Sequence, residues 1–298
     1  MIEHIDLNSI SVDKLLLPIL NEKKVEADVL RLDKIHSLVS GNKWFKLRYY
    51  LEEAKKLNKK TILTFGGAWS NHILATAAAC QLYNFNCIGI IRGEEAAKLS
   101  PTLIQAKELN MKLIFISRED YATRKIPVEI IGDEYYLIDE GGFGIKGATG
   151  AATILDYCEK ERYTHIACAI GTGTMMAGII EASLPQQKVI GISVLKNNLE
   201  LEENVKSLLL HNQKKHFKII HDYHFGGYAK HKPALLSFMN SFYAQTNVPV
   251  DFVYTAKLFY GITDLLNAGF FEPEGRILLI HSGGLQGNSS LNKGTLIF

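Results

Sequence analysis

The chain has 298 residues, 47% of them hydrophobic, with 33 basic and 31 acidic side chains and a formal net charge of +2. At about 150 residues per domain this length gives two domains or one large α/β unit, with a core that needs no disulfides. The near-neutral charge offers no footprint for nucleic acid or an anionic membrane surface, so neither is expected as a partner.

The N-terminus, MIEHIDLNSI, lacks the basic and apolar regions of a signal peptide. No apolar run approaches the roughly 20 residues of a membrane helix, and a cytoplasmic location is expected. Cys80, Cys87, Cys158 and Cys168 form no C-x-x-C pair, which argues against a zinc ribbon or redox motif; no metal is expected.

Strand-like and helix-like segments alternate. Residues 61–65 (TILTF) read as a buried strand, followed by Gly66-Gly67 and a helix over 71–83. A strand at 87–91, a helix at 102–110 opened by Ser100-Pro101, and a strand at 112–116 come next. Residues 118–136 are more polar and less regular. Gly141-Gly142 leads into a helix near 146–160. The pattern resumes with a strand at 165–170, a loop at 171–174, a helix at 175–183 and a strand at 188–194. Helices near 199–210, 233–245 and 256–268 precede a last strand at 276–280. The repeated strand–loop–helix order predicts parallel strands with crossover helices. Residues 46–140 read as a smaller α/β domain, and 1–45 plus 141–298 as a larger one.

Glycine-rich loops follow several strands. Gly171-Thr172-Gly173-Thr174 lies between a strand and a helix, where backbone N–H groups suit an anion. The dinucleotide fingerprint fails because its third glycine position is Met176, and the P-loop pattern is absent. Gly66-Gly67-Ala68-Trp69-Ser70-Asn71-His72 has the same setting; Ser70 or Asn71 is a helix cap, a carboxylate anchor, or both. His281-Ser282-Gly283-Gly284 follows the last strand. Ligands gather at the carboxyl ends of strands in open α/β sheets, so three such loops point to one site. Lys43, in Ser40-Gly41-Asn42-Lys43, stands where a helix begins and is a candidate to bond a carbonyl cofactor. His211, His216, His221, His224 and His231, interleaved with lysines, read as a solvated basic segment. Tyr228 follows Gly226-Gly227; Tyr254 precedes a helix after an apolar stretch read as a strand.

Together these motifs resemble the pyridoxal-phosphate enzymes of the 1-aminocyclopropane-1-carboxylate deaminase and D-cysteine desulfhydrase family. The resemblance rests on Gly41-Asn42-Lys43 with Lys46-Leu47, Gly66-Gly67 with Ser70-Asn71-His72, Gly171 to Thr174, Val253 to Lys257 and His281 to Gly284, and runs from about residue 28 to 286. It implies a two-domain, three-layer α/β/α architecture with mostly parallel sheets, tryptophan synthase β-like (fold type II). It implies a lyase or deaminase using pyridoxal 5'-phosphate on a small amino-acid substrate, as a homodimer. Lys43 would carry the cofactor, with Lys46 a supporting cation and Asn71 on the phenolic oxygen. Gly171, Thr172, Gly173 and Thr174 would cradle the phosphate, and Ser282 would face the ring nitrogen. Ser70, Asn71, His72 and Trp69 would meet the substrate, with Tyr228 and Tyr254 close by; Lys43, Ser70, Tyr228 and Tyr254 form the expected catalytic set.

Three departures stand out. Phe45 replaces a common Arg, and Trp69 a smaller or polar residue; both are expected to reshape the pocket. Thr255 stands where the cyclopropane deaminases carry Glu, which favours D-cysteine β-elimination over ring opening. A non-catalytic pyridoxal-phosphate or metabolite binding protein is the alternative of another class.

Overall fold

The computed structural model describes residues 4–130, 134–210 and 216–298. β1 (Val12–Lys14) pairs antiparallel with β2 (Glu26–Arg31), and α1 (Pro18–Lys23) lies between them in sequence. α2 (Asn42–Lys56) leads to a four-stranded parallel sheet of β3 (Thr61–Gly66), β4 (Asn86–Arg92), β5 (Met111–Ile116) and β6 (Tyr135–Ile138), in the order β5-β4-β3-β6. Its connections carry α3 (Asn71–Leu82), α4 (Pro101–Glu108) and the short α5 (Arg118–Ala122). The chain returns through α6 (Ile145–Ala152) to β7 (His165–Ile170), α7 (Thr174–Ala182), β8 (Lys188–Ser193), α8 (Leu201–Ser207) and β9 (His216–Ile220). α9 (Pro233–Thr246), α10 (Thr255–Asn267) and β10 (Arg276–His281) complete it. The second sheet has six strands in the order β1-β2-β10-β7-β8-β9, and β1 is its one antiparallel member. The mostly parallel α/β architecture is the one expected.

Local chemistry explains these elements. β7 is buried at every position, as a central parallel strand covered on both faces must be. Ser100 caps α4 through Leu103 N–H, and Pro101 occupies the first turn, where its missing donor costs nothing. α3 is rich in alanine and nearly all buried, so it packs closely on every side. One apolar core joins α2, α3, α6 and α7 to a face of the six-stranded sheet; α9 and α10 cover the other face. At the α6–α7 crossing, a Cβ on Gly178 would fall 2.4 Å from the Ala148 carbonyl oxygen. The Tyr50 hydroxyl donates to the Phe143 carbonyl at 2.8 Å, pinning the start of the chain's excursion into the smaller sheet to its end.

Several expectations need correction. The helix expected over 146–160 stops at Ala152 and gives way to a 3-10 turn, Thr153–Tyr157, where the Thr153 hydroxyl bonds back to the Gly150 carbonyl. β1, β2, β6 and β9 were not anticipated. Residues 248–253 are not a strand: the Asp251 carboxylate takes the backbone N–H groups of Val253, Tyr254 and Thr255 at 2.9 Å each. The histidine segment is more than a solvated face. His216 opens β9, His224 Nδ1 accepts the Gly226 N–H, and His231 packs edge-on against Phe252; His211 lies outside the described residues.

Candidate active site

Loops at the carboxyl ends of strands from both sheets enclose a cavity of about 260 Å³. Lys43, Lys46, Ser70, Asn71, His72, Gly171, Thr172, Gly173, Tyr228, Tyr254 and Ser282 all line it, from six separate stretches of chain. The turn bearing Lys43 packs directly on the loop after β10: Asn42 N–H donates to the Ser282 carbonyl at 3.2 Å, and a Cβ on Gly41 would fall 2.0 Å from that oxygen. Gly41 also has φ of +61°, so the close approach and the turn both demand glycine here.

The Lys43 amine donates to Asn42 Oδ1 at 3.0 Å and lies 5.6 Å from the centre of the Tyr254 ring. Burial lowers its pKa to about 8, partly opposed by the Asp251 carboxylate. Lys46, one turn along α2, is driven well below the ordinary lysine range by burial and by the Lys43 charge. Burial, Lys46 and Lys43 likewise keep His72 neutral. Its tautomer follows from its partners. The Thr64 hydroxyl spends its only proton on the Ile138 carbonyl at 2.7 Å, so His72 Nε2, 2.9 Å from that hydroxyl, must be the donor. His72 Nδ1 then carries a buried lone pair with no partner.

Tyr228 and Tyr254 face each other as a T-shaped pair with centroids 6.1 Å apart. Burial pushes Tyr228 up to about 12 and Tyr254 well above its ordinary value, so both phenols stay protonated. The Tyr228 hydroxyl donates to the Trp69 carbonyl at 3.0 Å. The buried Lys257 ammonium holds the Gly227 carbonyl at 2.7 Å and so fixes the loop that carries Tyr228.

Some expected site residues are placed elsewhere. The Trp69 side chain is 43% exposed and lines an outer cleft instead of the cavity. Phe45 is fully buried, edge-on to Tyr157; the packing of α2 against the core takes it out of the pocket. Thr174 is buried and its hydroxyl meets that of Thr172 at 3.0 Å, so its backbone, not its side chain, is what it offers. Ser70 lines the cavity and also caps α3 through Ile73 N–H.

Sequence reading missed Asp251, Glu140, Arg92 and Gln286. Asp251 sits directly behind the cavity wall: a Cβ on Gly284 would fall 3.6 Å from its carboxyl carbon. Its signal was the Asp placed before a helix start, a capping pattern. Glu140 precedes the Gly141-Gly142 pair, which was noted only as a helix entry. Arg92 ends β4, where a charged residue beside a strand's carboxyl end was the available cue. Gln286, which also lines the cavity, gave no signal; its Oε1 is buried and unpaired.

The residues present fit a phosphorylated carbonyl cofactor. Gly173 begins α7 with no side-chain cap, which leaves first-turn N–H groups for an anion. A Cβ on Gly171 would press on the Tyr254 ring at 3.2 Å, so the phosphate loop stays bare where that ring closes the wall. A lysine of lowered pKa stands nearby, with the Ser282 hydroxyl and the His72 lone pair around the same space.

The comparisons agree with that chemistry. A family model described as pyridoxal-phosphate dependent enzyme matches residues 17–283. A Thermotoga maritima protein provisionally named a 1-aminocyclopropane-1-carboxylate deaminase is 30% identical, over 87% of this chain and 88% of its own. An Arabidopsis thaliana protein named bifunctional D-cysteine desulfhydrase/1-aminocyclopropane-1-carboxylate deaminase, mitochondrial, is also 30% identical, over 84% of this chain and 70% of its own. A crystal structure titled as an ACC deaminase homologue shares the fold, with a TM-score of 0.80 and 24% identity over 96% of this chain and 93% of that one. The chain belongs to the family of pyridoxal-phosphate dependent enzymes.

Proposed function

We propose that this enzyme is a D-cysteine desulfhydrase, releasing a 2-oxo acid, ammonia and sulfide by β-elimination. When bound, pyridoxal phosphate supplies an aldehyde for the substrate amine and a ring that accepts the electron pair left at Cα. The chain does the rest. Lys43 is the amine for that aldehyde and, once released, the base that takes the Cα proton. Gly171, Thr172, Gly173 and the first turn of α7 at Thr174 would hold the phosphate, with Lys46 a supporting donor beside the same cavity. Asn71 would face the phenolic oxygen, and Ser282 would offer the ring nitrogen a hydroxyl without fixing a charge there. Ser70, Asn71 and the His72 lone-pair face position the substrate. Tyr254, kept protonated and backed by Tyr228, gives the leaving sulfur its proton as the Cβ–S bond breaks.

One observation carries the choice of branch. Thr255 is buried and gives its hydroxyl to Asp251 Oδ1 at 2.7 Å. Position 255 therefore presents no carboxylate to the site, and Asp251 is committed to four donors. Glu140, the acid that does line the cavity, is paired with Arg124 at 3.2 Å. Ring opening of a cyclopropane needs acid–base help that none of these supplies freely. The bifunctional name of the Arabidopsis relative keeps 1-aminocyclopropane-1-carboxylate as the second substrate to try.

The reading includes a two-domain division at residues 46–140, a homodimer and a cytoplasmic location. Among the described residues no helix is long and apolar enough to cross a membrane. The deciding experiment measures 2-oxo acid and ammonia from the holoenzyme with D-cysteine, L-cysteine and 1-aminocyclopropane-1-carboxylate: pyruvate with sulfide from the cysteines, 2-oxobutyrate from the cyclopropane. D-cysteine should give the highest kcat/KM. A larger value for the cyclopropane would reverse the branch, and bound cofactor with no turnover of any amino acid would favour the non-catalytic reading.

A further inference from the structure

The catalytic cavity has an immediate neighbour. It shares Gly67, Arg92 and Glu140 with a second, open cleft of about 770 Å³. Trp69, Arg92, Arg118, Tyr121, Arg124 and Glu140 form the walls of that cleft. Three guanidiniums face one carboxylate. Arg124 is matched by Glu140 at 3.2 Å, whereas no carboxylate lies within ion-pair distance of Arg92 or Arg118 among the described residues.

The cleft is also organised. The Tyr121 ring is 4% exposed and edge-on to Phe65, which fixes its plane. Arg92 and Arg124 stand 5.6 Å and 5.3 Å from its centroid, so one ring braces both cations. The Tyr121 hydroxyl is buried beside Glu140 and Arg124 but meets neither in good hydrogen-bond geometry. A ligand oxygen arriving between the guanidiniums would form charge-assisted hydrogen bonds with them.

We propose that this cleft is a subsite for an anionic group at the far end of the substrate's side chain. The preferred substrates are then amino acids whose β-substituent carries a phosphate or a terminal carboxylate, with D-cysteine a small substrate that leaves the cleft empty. This rests on the β-elimination reading of the neighbouring site. For an O-phosphorylated serine the step balances with water: the Cα proton and the Cβ–O bond are lost, phosphate departs with the electron pair, and hydrolysis yields pyruvate and ammonia.

The test uses the holoenzyme and calorimetric titration with serine, O-phosphoserine and O-succinylserine of each hand, beside pyruvate release from each and from D-cysteine. An anion-bearing serine should bind at least about tenfold more tightly than serine of the same hand, the scale of one charge-assisted hydrogen bond. Whichever of the two gains more identifies the anion. Arg118→Gln, on an exposed residue outside the catalytic cavity, should remove most of that gain and leave serine binding within about twofold. Arg124→Gln should act in the same direction. Equal binding of serine and both derivatives, or a gain untouched by both variants, would overturn the subsite. The elimination reading fails by a separate sign: tight anion-dependent binding with no pyruvate from any substrate, D-cysteine included.

Discussion

Lys43 and Lys46 stand three residues apart at the start of α2, each deprived of water, and cannot both hold a proton comfortably. The lowered pKa of Lys43, about 8, makes its neutral form abundant at mildly alkaline pH. Uptake of pyridoxal phosphate by the apoprotein should therefore quicken as pH rises through about 8 and level off above it. Stopped-flow absorbance would show this, and a rate still climbing towards the ordinary lysine value would place the nucleophile elsewhere. Replacing Lys43 with Ala should leave no cofactor covalently attached after borohydride reduction, as read by peptide mass spectrometry.

The same shift has a stability consequence. Lys43 and Lys257 fall to about 8 in the folded chain from the ordinary lysine value of 10.5. Between those values the unfolded chain holds protons that the folded chain lacks, so stability rises with pH. Each contributes up to about 3 kcal/mol across that window. Buried tyrosines such as Tyr50, raised to about 12, act in the opposite sense once pH passes about 10. Denaturant unfolding of the apoprotein from pH 8 to 10 should show the rise, and a Lys43→Met variant should lose its share.

At the level of elements, Gly178 in α7 and Asp251 before α10 make opposite kinds of demand. Alanine for glycine inside a helix normally gains about 1 kcal/mol. At Gly178 the new methyl would meet the Ala148 carbonyl oxygen at 2.4 Å and the Ala152 nitrogen at 2.6 Å, so Gly178→Ala should instead destabilise by 1 kcal/mol or more on the usual scale of overpacking, about 1–3 kcal/mol. A measured gain would mean the α6–α7 crossing opens easily. Asp251→Ala removes the acceptor for four donors and a negative charge beside Lys43. It should cost about 3 kcal/mol by chemical denaturation, the range for leaving buried polar and charged groups unmatched.

How far the chain could be read follows from the same elements. β3, β4, β7, β8 and β10 are buried almost throughout and stand out as short apolar runs, and β5 was legible on composition. β1, β6 and β9 are edge strands of three, four and five residues, too short for their patterns to stand out from the flanking loops. β2 is interior but includes Glu26, Asp28 and Arg31, and Arg31 is neutralised by Asp13 and Asp33, partners invisible in one dimension. The glycine loops were legible because backbone approach has few solutions. Phe45 and Trp69 were not: their distance from the pocket depends on how α2 and the loop after β3 turn. Asp251 was hidden because its effect depends on Lys43, more than two hundred residues earlier.

Across the molecule, cofactor binding should tie the two sheets together, since Lys43, Ser282 and the α7 terminus come from one side and Ser70, Asn71 and His72 from the other. A ligand that binds only the folded form stabilises it by about 2.7 kcal/mol at a hundred times its dissociation constant. Saturating pyridoxal phosphate should thus raise the thermal midpoint by several degrees; an unchanged midpoint would argue against a site built from both sheets.

The Tyr50–Phe143 hydrogen bond has a further consequence. It closes the excursion through the smaller sheet into a cassette whose two ends leave the frame at one place. In the proposed reading the frame supplies Lys43 and the phosphate loop, and the cassette supplies Ser70, Asn71, His72, Arg92 and Glu140. Reactivity and choice of substrate are then heritable in separate pieces. A chimaera that takes residues 51–142 from a relative should keep this chain's cofactor attachment and acquire the donor's substrate preference. Such exchange offers a simple route by which one lysine could come to serve many amino acids.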